Sequence, residues 1–571
     1  MSLYGNKNLS DSINLYSNWI TGSVAVLSLL LIVLETAGFP SFLMPYSIVF
    51  NKLILILFLS DTCIRIIISP DKKTALKQYV FELAAFFPIL RIFSEKQMDQ
   101  ITVLSMLAII LTMLVTRTRH IALISSNEFK PAWLMISSFL IVIFAGAVVL
   151  AQPFACMPGK NVSLLNALFT STSAVCVTGL TVYDTATHFS RAGQIVILLL
   201  IQLGGFGIMT FSVFLVVMLG RKLDIKHRIV MQDVLNRDEL TGAVRTMRFI
   251  IKMTIFVEAA GAIMLTVQWY PRFGSISEAA YHAVFHSVSA FCNAGFSTFS
   301  DSLNSFSSDY MTNFVIMALI IAGTLGFMAV LDIAGVLSMR LKDSRLHPRL
   351  RIQTVIVLVM TVLLTVLGAL GILAFENTVY KSSNGIDTIT VALFQSVSCR
   401  TAGFTTCDIG ILSPATLFLM IILMFIGGAP GSTAGGIKMT TIAVLWRTMI
   451  SGIHQSEYRK VEILKRTIPS ETIQKAITLL LFYLILLSVF TMAMLVTENQ
   501  SPIAIVFEVV SAGATVGLST GITPELTSVG RIFIMVLMFA GRLGLLTIGY
   551  ALVMHRYKAE YTYAEERVMI G

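Results

Sequence analysis

Charge is what this sequence has least of. Only 13% of its 571 residues are Asp, Glu, Lys or Arg, while 56% are hydrophobic. Water-soluble globular domains carry roughly 25% charged residues, so a soluble fold of this size is excluded. The six cysteines and eight histidines lack the paired spacing of a zinc site or a disulfide framework. His282 and His286 stand at helical spacing, but no third ligand accompanies them, and they read as polar packing. The run GSTAGGIK ends in Lys438 followed by Met439, without the Ser or Thr that completes a phosphate-cradling loop. No enzyme constellation emerges, and no organic cofactor is expected on this chain. The N-terminus also lacks a basic start, a short apolar core and a small-residue cleavage site, so no cleaved signal peptide is expected.

What is there is length without charge. Apolar runs long enough to cross a bilayer recur from end to end. The formal net charge of +10 would suit nucleic acid, but its distribution argues against that partner. Basic residues crowd three loops: Arg221 to Lys252, Arg340 to Arg351, and Arg447 to Arg466. The alternate loops carry only isolated charges such as Lys160, Arg272 and Lys381. The positive-inside rule puts the three basic loops in the cytoplasm. The expected fold class is therefore an all-α polytopic membrane protein of the cytoplasmic (plasma) membrane, with both termini cytoplasmic.

Four segments on the opposite side are versions of one another: ALFTSTSAVCVTGL, AVFHSVSAFCNAGF, ALFQSVSCRTAGF and AIVFEVVSAGATVGL. Their aligned glycines are Gly179, Gly295, Gly403 and Gly517, and their aligned phenylalanines are Phe169, Phe285, Phe394 and Phe507. The third copy is one residue shorter between Phe and Gly. Copies spaced this evenly mark a fourfold internal repeat. Each repeat reads as helix, short re-entrant helix, helix, and all four point the same way, which argues against an inverted-repeat carrier. The expected division is an N-terminal transmembrane bundle over 1–125, then pore repeats over 126–225, 226–345, 346–468 and 469–571, the last with a cytoplasmic tail.

The loops carry the chemistry. Each short helix is expected to end near Ser173, Ser289, Ser398 or Ser511, turning its partly negative end inward and favouring a cation. An extended run then offers carbonyls of Val177 and Thr178, Asn293 and Ala294, Thr401 and Ala402, and Thr515 and Val516 to replace the ion's water shell. Each run closes on Gly179, Gly295, Gly403 or Gly517, where a side chain would narrow the passage. Ordinary helix-packing glycines are the alternative at any single position.

These loops, the run IGGAPGSTAGGIK from Ile426 to Lys438, and MFAGRLGLLTIGY from Met538 to Tyr550 resemble the pore subunit of the Trk/Ktr/HKT superfamily of potassium transporters. The resemblance covers about 130–555. It implies four helix–loop–helix units around one pore, usually a homodimer with one pore per subunit, and a cytosolic ring of nucleotide-binding regulatory subunits. Potassium is then the permeant ion at the filter carbonyls; serine in the first loop accompanies sodium preference in the plant branch, and this chain has Gly179 there.

Two further elements follow. Gly427, Gly428, Pro430, Gly431, Gly435 and Gly436 break the second helix of the third repeat. Such a break is tolerated at membrane depth only where it lines a cavity or is buried in protein. Ser432 and Thr433 are small and polar enough to flip between states. The resemblance makes this segment the intramembrane gate; a packing kink is the alternative, and the role of Lys438 is open. Arg542 lies mid-membrane in the last helix, where an arginine usually faces a pore or a partner. It reads as an electrostatic barrier below the filter, or as a salt-bridge partner of Glu508. The first 125 residues hold apolar segments Trp19–Leu34, Tyr46–Ile68, Tyr79–Leu90 and Ile101–Val115, with too few regularly spaced arginines for voltage sensing; docking or assembly suits them better. Three functions fit: a channel-like potassium uptake subunit, a sodium- or proton-coupled potassium symporter, and a non-transporting receptor or scaffold. Intact loop glycines disfavour the last.

Overall fold

The computed structural model describes residues 131–206, 241–342, 348–376, 385–453 and 461–544. The N-terminal bundle expected over 1–125 lies outside the described residues, as does the C-terminal tail. What is described is mostly helical. The first unit comprises α1 (Pro131–Leu150), the short α2 (Leu164–Val175) and α3 (Arg191–Gly205). The second comprises α4 (Thr241–Phe273), α5 (Ile276–Cys292), α6 (Tyr310–Thr324) and α7 (Phe327–Lys342). The third comprises α8 (Ile352–Phe375), α9 (Gly385–Ser398), α10 (Pro414–Phe425) and α11 (Met439–Ile453). The fourth comprises α12 (Ser470–Thr497), α13 (Pro502–Gly513) and α14 (Ser528–Leu543). A two-stranded hairpin, β1 (Glu462–Ile463) and β2 (Arg466–Thr467), precedes α12.

Length decides what each helix can do. The 24 residues of α8 rise about 36 Å at 1.5 Å each, enough to cross a hydrocarbon core of about 30 Å. The 12 residues of α2 and of α13 rise about 18 Å and return partway. Long helices Arg248–Phe273, Ile352–Phe375 and Ser470–Thr497 all meet the length and apolarity of a membrane span. Their outer faces are bare hydrocarbon: Phe256 is 73% exposed and Val496 88%. An exposed apolar face of that kind suits lipid tails and not water.

Capping fixes where each unit turns back. The second long helix of every unit starts at a short polar residue whose side chain accepts the amide three positions on. Ser190 accepts from Gly193, Asp309 from Thr312, Ser413 from Thr416, and Thr527 from Gly530. Two buried carboxylates reinforce the same turn. Glu376, at the end of α8, accepts from Ser413 N at 2.9 Å and Thr416 Oγ1 at 3.0 Å. Glu498, at the end of α12, accepts from Thr527 N at 3.0 Å and from its hydroxyl at 2.5 Å.

The structure corrects one expectation about these elements. The second long helix of the second unit, read as continuous from Asn313 to Leu337, is broken after Thr324, and α6 and α7 are bent 96° to one another. The break is stabilised from outside: Phe327 N donates to Gly431 O at 3.1 Å, and Thr324 O accepts from Ala429 N at 3.0 Å. Both partners belong to the glycine-rich segment of the third unit.

The units close into a ring. Arg191 at the start of α3 pairs with Glu278 of α5 at 2.6 Å. Tyr310 at the start of α6 donates to Asp387 of α9 at 2.7 Å. Arg531 of α14 donates to Asn166 of α2 at 2.8 Å. In each clasp the start of a second long helix holds the next unit's short helix, and the last joins unit four back to unit one.

Candidate ion-conduction site

Each short helix passes into its loop by the same hydrogen bond. The carbonyl of the aligned serine accepts the amide of the residue before the glycine. The pairs are Ser173 with Thr178 at 2.8 Å, Ser289 with Ala294 at 2.7 Å, Ser398 with Ala402 at 2.9 Å, and Ser511 with Val516 at 2.8 Å. The third pair is one residue closer in sequence, which absorbs the shorter copy. The serine hydroxyls then divide two ways. Ser173 and Ser511 accept from the amides of Gly179 and Gly517 at 3.0 and 3.1 Å. Ser289 and Ser398 donate to the carbonyls of Phe296 and Phe404 at 2.8 and 2.5 Å.

The loops are not extended as expected. The residue two before each glycine is left-handed: Val177 at φ 55°, Asn293 at 60°, Thr401 at 75° and Thr515 at 53°. The glycines follow at φ 95°, 69°, 77° and 92°. Positive φ is uncommon for any residue with a Cβ and an outlier for a β-branched one, so three of the four first positions are strained. Backbone strain of this kind persists only where the surroundings impose it, and it clusters at functional sites.

The four glycines stand against one another in a closed circle. A methyl group on Gly179 would strike the carbonyl oxygen of Ala294 and lie 3.1 Å from Gly295 Cα. One on Gly295 would lie 2.9 Å from Ala402 O and 3.0 Å from Gly403 Cα. One on Gly403 would lie 2.5 Å from Val516 O and 3.3 Å from Gly517 Cα. One on Gly517 would strike Thr178 O and lie 3.0 Å from Gly179 Cα. The carbonyls preceding the glycines thus form a tight ring with one member from each unit. Behind it, the aligned Phe169, Phe285, Phe394 and Phe507 are at most 1% exposed.

The glycine-rich segment between α10 and α11 lies across the inner side of this ring. Thr433 Oγ1 accepts from Asn293 Nδ2 at 3.1 Å and donates to Phe291 O at 3.3 Å. On the opposite unit, a methyl on Gly435 would strike Thr515 Oγ1 and lie 2.6 Å from Ala514 O. The segment is pinned at its root by Gly427 N to Ile437 O at 2.9 Å and Met439 N to Gly428 O at 3.1 Å. Ser432 Oγ turns back on Ala429 O at 2.6 Å, and Lys438 Nζ donates to Ala434 O at 2.7 Å. Gly431 and Gly436 take φ of 70° and 64°, and Gly431 has no neighbour within 4 Å of a would-be side chain.

Arg542, 8% exposed, is held at this level. Its guanidinium donates to the carbonyls of Thr433 and Gly204. These bonds replace the alternative pairing with Glu508. Glu508 instead accepts from Thr523 Oγ1 behind the fourth loop. His286 bonds Ser297 Oγ at 2.9 Å behind the second loop, and His282 bonds Thr298 Oγ1 at 2.6 Å. Both histidines brace loop hydroxyls, and among the described residues no cluster of metal-ligating side chains occurs.

Sequence reasoning missed two buried charges. Arg400, 1% exposed, stands beside the left-handed Thr401. It donates to Thr361 O at 2.9 Å, Thr365 Oγ1 at 3.1 Å and Thr324 Oγ1 at 3.4 Å. Its signal was visible, since it is the one Lys or Arg within the four repeated segments. Glu258 of α4 is 8% exposed, with Gln202 Nε2 at 3.3 Å and the Cys292 thiol at 3.8 Å. Thr254, one turn before it on the same face, is 1% exposed and its hydroxyl has no hydrogen-bond partner.

A membrane protein with parallel helix–loop–helix units, closed around a ring of carbonyls, belongs to the class of cation-conducting transporters. The TrkH family, described as cation transport proteins, matches residues 98–558, and the chain belongs to it. The potassium/sodium uptake protein NtpJ of Enterococcus hirae is 38% identical over 453 residues, 78% of this chain and 98% of that protein. The Ktr system potassium uptake protein D of Bacillus subtilis is 34% identical over 78% of this chain and 98% of its own length. The Ktr system potassium uptake protein B of Vibrio alginolyticus is 36% identical over 77% and 94%. The crystal structure of the potassium transporter TrkH from Vibrio parahaemolyticus superposes with a TM-score of 0.63 at 19% identity, covering 84% of this chain and 97% of that one. That last likeness concerns the fold.

Proposed function

We propose that this chain is the ion-translocating subunit of a potassium uptake system in the cytoplasmic membrane, with the Gly179–Gly295–Gly403–Gly517 ring as its selectivity filter. The closed circle of contacts among the four glycines carries this reading. Carbonyls held so tightly by four units replace an ion's water shell at fixed spacing. The names of its relatives as potassium uptake proteins support the same ion. The four short helices aim their negative ends at the ring's inner side and favour a cation there. The segment from Gly427 to Lys438 is the gate, with Gly428, Gly431, Ser432, Thr433, Gly435 and Gly436 across the exit. Arg542 locks it closed and repels a cation arriving from the filter.

A cytosolic ring of nucleotide-binding subunits drives the gate, and the subunit works as a homodimer. Relatives named as parts of a Ktr system are in keeping with a multi-component assembly. The basic residues around β1 and β2, Arg447, Lys465 and Arg466, support a cytoplasmic position for them.

Glu258 favours a second reading, sodium- or proton-coupled symport, because a buried carboxylate beside the conduction path is what coupling requires. Potassium flux into liposomes separates the two. Passive flux that follows the potassium gradient alone, unchanged in Glu258→Gln, supports the channel-like subunit. Flux that needs a sodium or proton gradient and loses that need in Glu258→Gln supports symport. Absence of any flux from folded protein contradicts both.

A further inference from the structure

Arg400 is a buried charge that breaks the fourfold pattern. It stands three residues before the ring glycine of unit three and is 1% exposed. The other units have Cys176, Cys292 and Ala514 in that place, so unit three alone carries a cation there. Among the described residues no carboxylate pairs with it. Three oxygens take that part instead, and its Nε has no partner. A charge so incompletely paired is costly to bury, and each such exception asks for a reason. The partners supply one. Nη1 donates to Thr361 O at 2.9 Å and Thr365 Oγ1 at 3.1 Å on α8, and Nη2 donates to Thr324 Oγ1 at 3.4 Å, at the break after α6. Two of these three residues also hold the glycine-rich segment. Thr324 O accepts from Ala429 N at 3.0 Å near its start. Thr361 Oγ1 donates to Met439 Sδ at 3.8 Å at its end. One guanidinium therefore stands between the third loop and both ends of that segment.

We propose that Arg400 is a positioning residue that couples ion occupancy of the glycine ring to the closed position of the Gly427–Gly436 segment. The proposal rests on the ring being a filter and the segment a gate. The side chain reaches from the third loop to α8 and α6, so any displacement away from the loop presses it onto its acceptors. A cation in the ring repels the guanidinium in that direction. The bond to Thr324 is the longest of the three and has the most to gain by shortening. Thr324 is then held more firmly, and with it Ala429. By reciprocity, a closed segment favours an occupied ring. Lysine keeps the repulsion but supplies one nitrogen where Arg400 uses two.

The test is backbone amide exchange from Ile426 to Met439 in the full chain in detergent, compared in sodium and in rubidium. Rubidium binding is titrated by thermal shift on the same samples. In the wild type, rubidium should slow exchange of the segment by about fivefold or more, the low end of ordinary coupling between sites. Arg400→Lys should still bind rubidium but lose that response. Thr324→Val removes the acceptor beside the segment and should also shrink it. Thr365→Val removes an acceptor on α8 that does not touch the segment, and should keep it. An arginine that only stabilises the fold predicts another pattern: exchange in Arg400→Lys that is faster in both ions, with the rubidium response intact. That result overturns the proposal. If Arg400→Lys does not fold, the two threonine variants decide, and equal responses in them overturn it. A wild type that binds rubidium without slowing exchange overturns the coupling and leaves the filter standing. A wild type that binds no rubidium overturns the filter reading as well, which separates the two failures.

Discussion

Two regions of this molecule are built from glycine, and they use it in opposite ways. In the ring, each glycine is pressed against a backbone carbonyl of the next unit, and the circle closes on itself. Each glycine is wedged between its ring neighbours. In the glycine-rich segment, Gly427, Gly428 and Gly435 are also in close contact, but a side chain on Gly431 would stand in open space. The segment is fastened across units by a handful of hydrogen bonds, side-chain ones from Arg542 and Asn293 and backbone ones with Gly323, Thr324 and Phe327 of the second unit. The ring is held by contact all round, while the glycine-rich segment hangs on separate hydrogen bonds to its neighbours. On the proposed function, selectivity draws on the first arrangement and switching on the second.

The largest effect is expected where the ring is tightest. Gly517→Ala places a methyl group into the Thr178 carbonyl at φ 92°. Potassium-over-sodium preference, read from competitive rubidium uptake, should fall at least tenfold or the protein should fail to fold. Gly431→Ala, also at positive φ but in open space, should cost only about 1–2 kcal/mol of backbone strain and leave selectivity intact. Equal outcomes for the two would erase the distinction between ring and gate.

Deleting Gly427 to Gly436 comes next. Flux at matched membrane abundance should rise and lose its dependence on a cytosolic regulator. A folded, inserted deletion that is no faster would leave a packing kink in place of a gate.

Arg542→Ala should act in the same direction but less strongly. Two unit charges some 6 Å apart interact by roughly 3 kcal/mol at an effective dielectric of 20, and water in the cavity reduces that. The alanine variant should leak more, while Arg542→Lys keeps most of the barrier. Detergent-stable yield, measured first, separates this from a fold defect.

The smallest effect belongs to the serines. Ser173→Ala and Ser511→Ala remove an acceptor from a glycine amide, and Ser289→Ala and Ser398→Ala remove a donor to a carbonyl. Each should cost about 1 kcal/mol and shift melting more than selectivity.

Much of this was legible in the residues. The second long helix of each unit starts at a short polar residue that suits a cap, Ser190, Asp309, Ser413 or Thr527. The four glycines were legible because the repeat puts them in register. The backbone between serine and glycine was not. Val177, Thr401 and Thr515 are β-branched, and their intrinsic preference is for extended structure. The carbonyl of a serine three or four residues back, which holds the next residue's amide, and the crowding of the ring accompany the left-handed turn. The break after Thr324 was hidden for a similar reason. One glycine, Gly326, is weak punctuation, and the hydrogen bonds that hold the break come from a segment roughly a hundred positions away. The partners of Arg542 were unreadable as well, since carbonyls leave no mark in a sequence.

The most direct test of the account is the reversal potential of purified protein in liposomes, with potassium on one side and sodium on the other. It should be taken for the wild type and for alanine at each of Gly179, Gly295, Gly403 and Gly517. The account predicts strong potassium preference in the wild type and its loss in each folded variant. Unchanged selectivity after all four substitutions would contradict it.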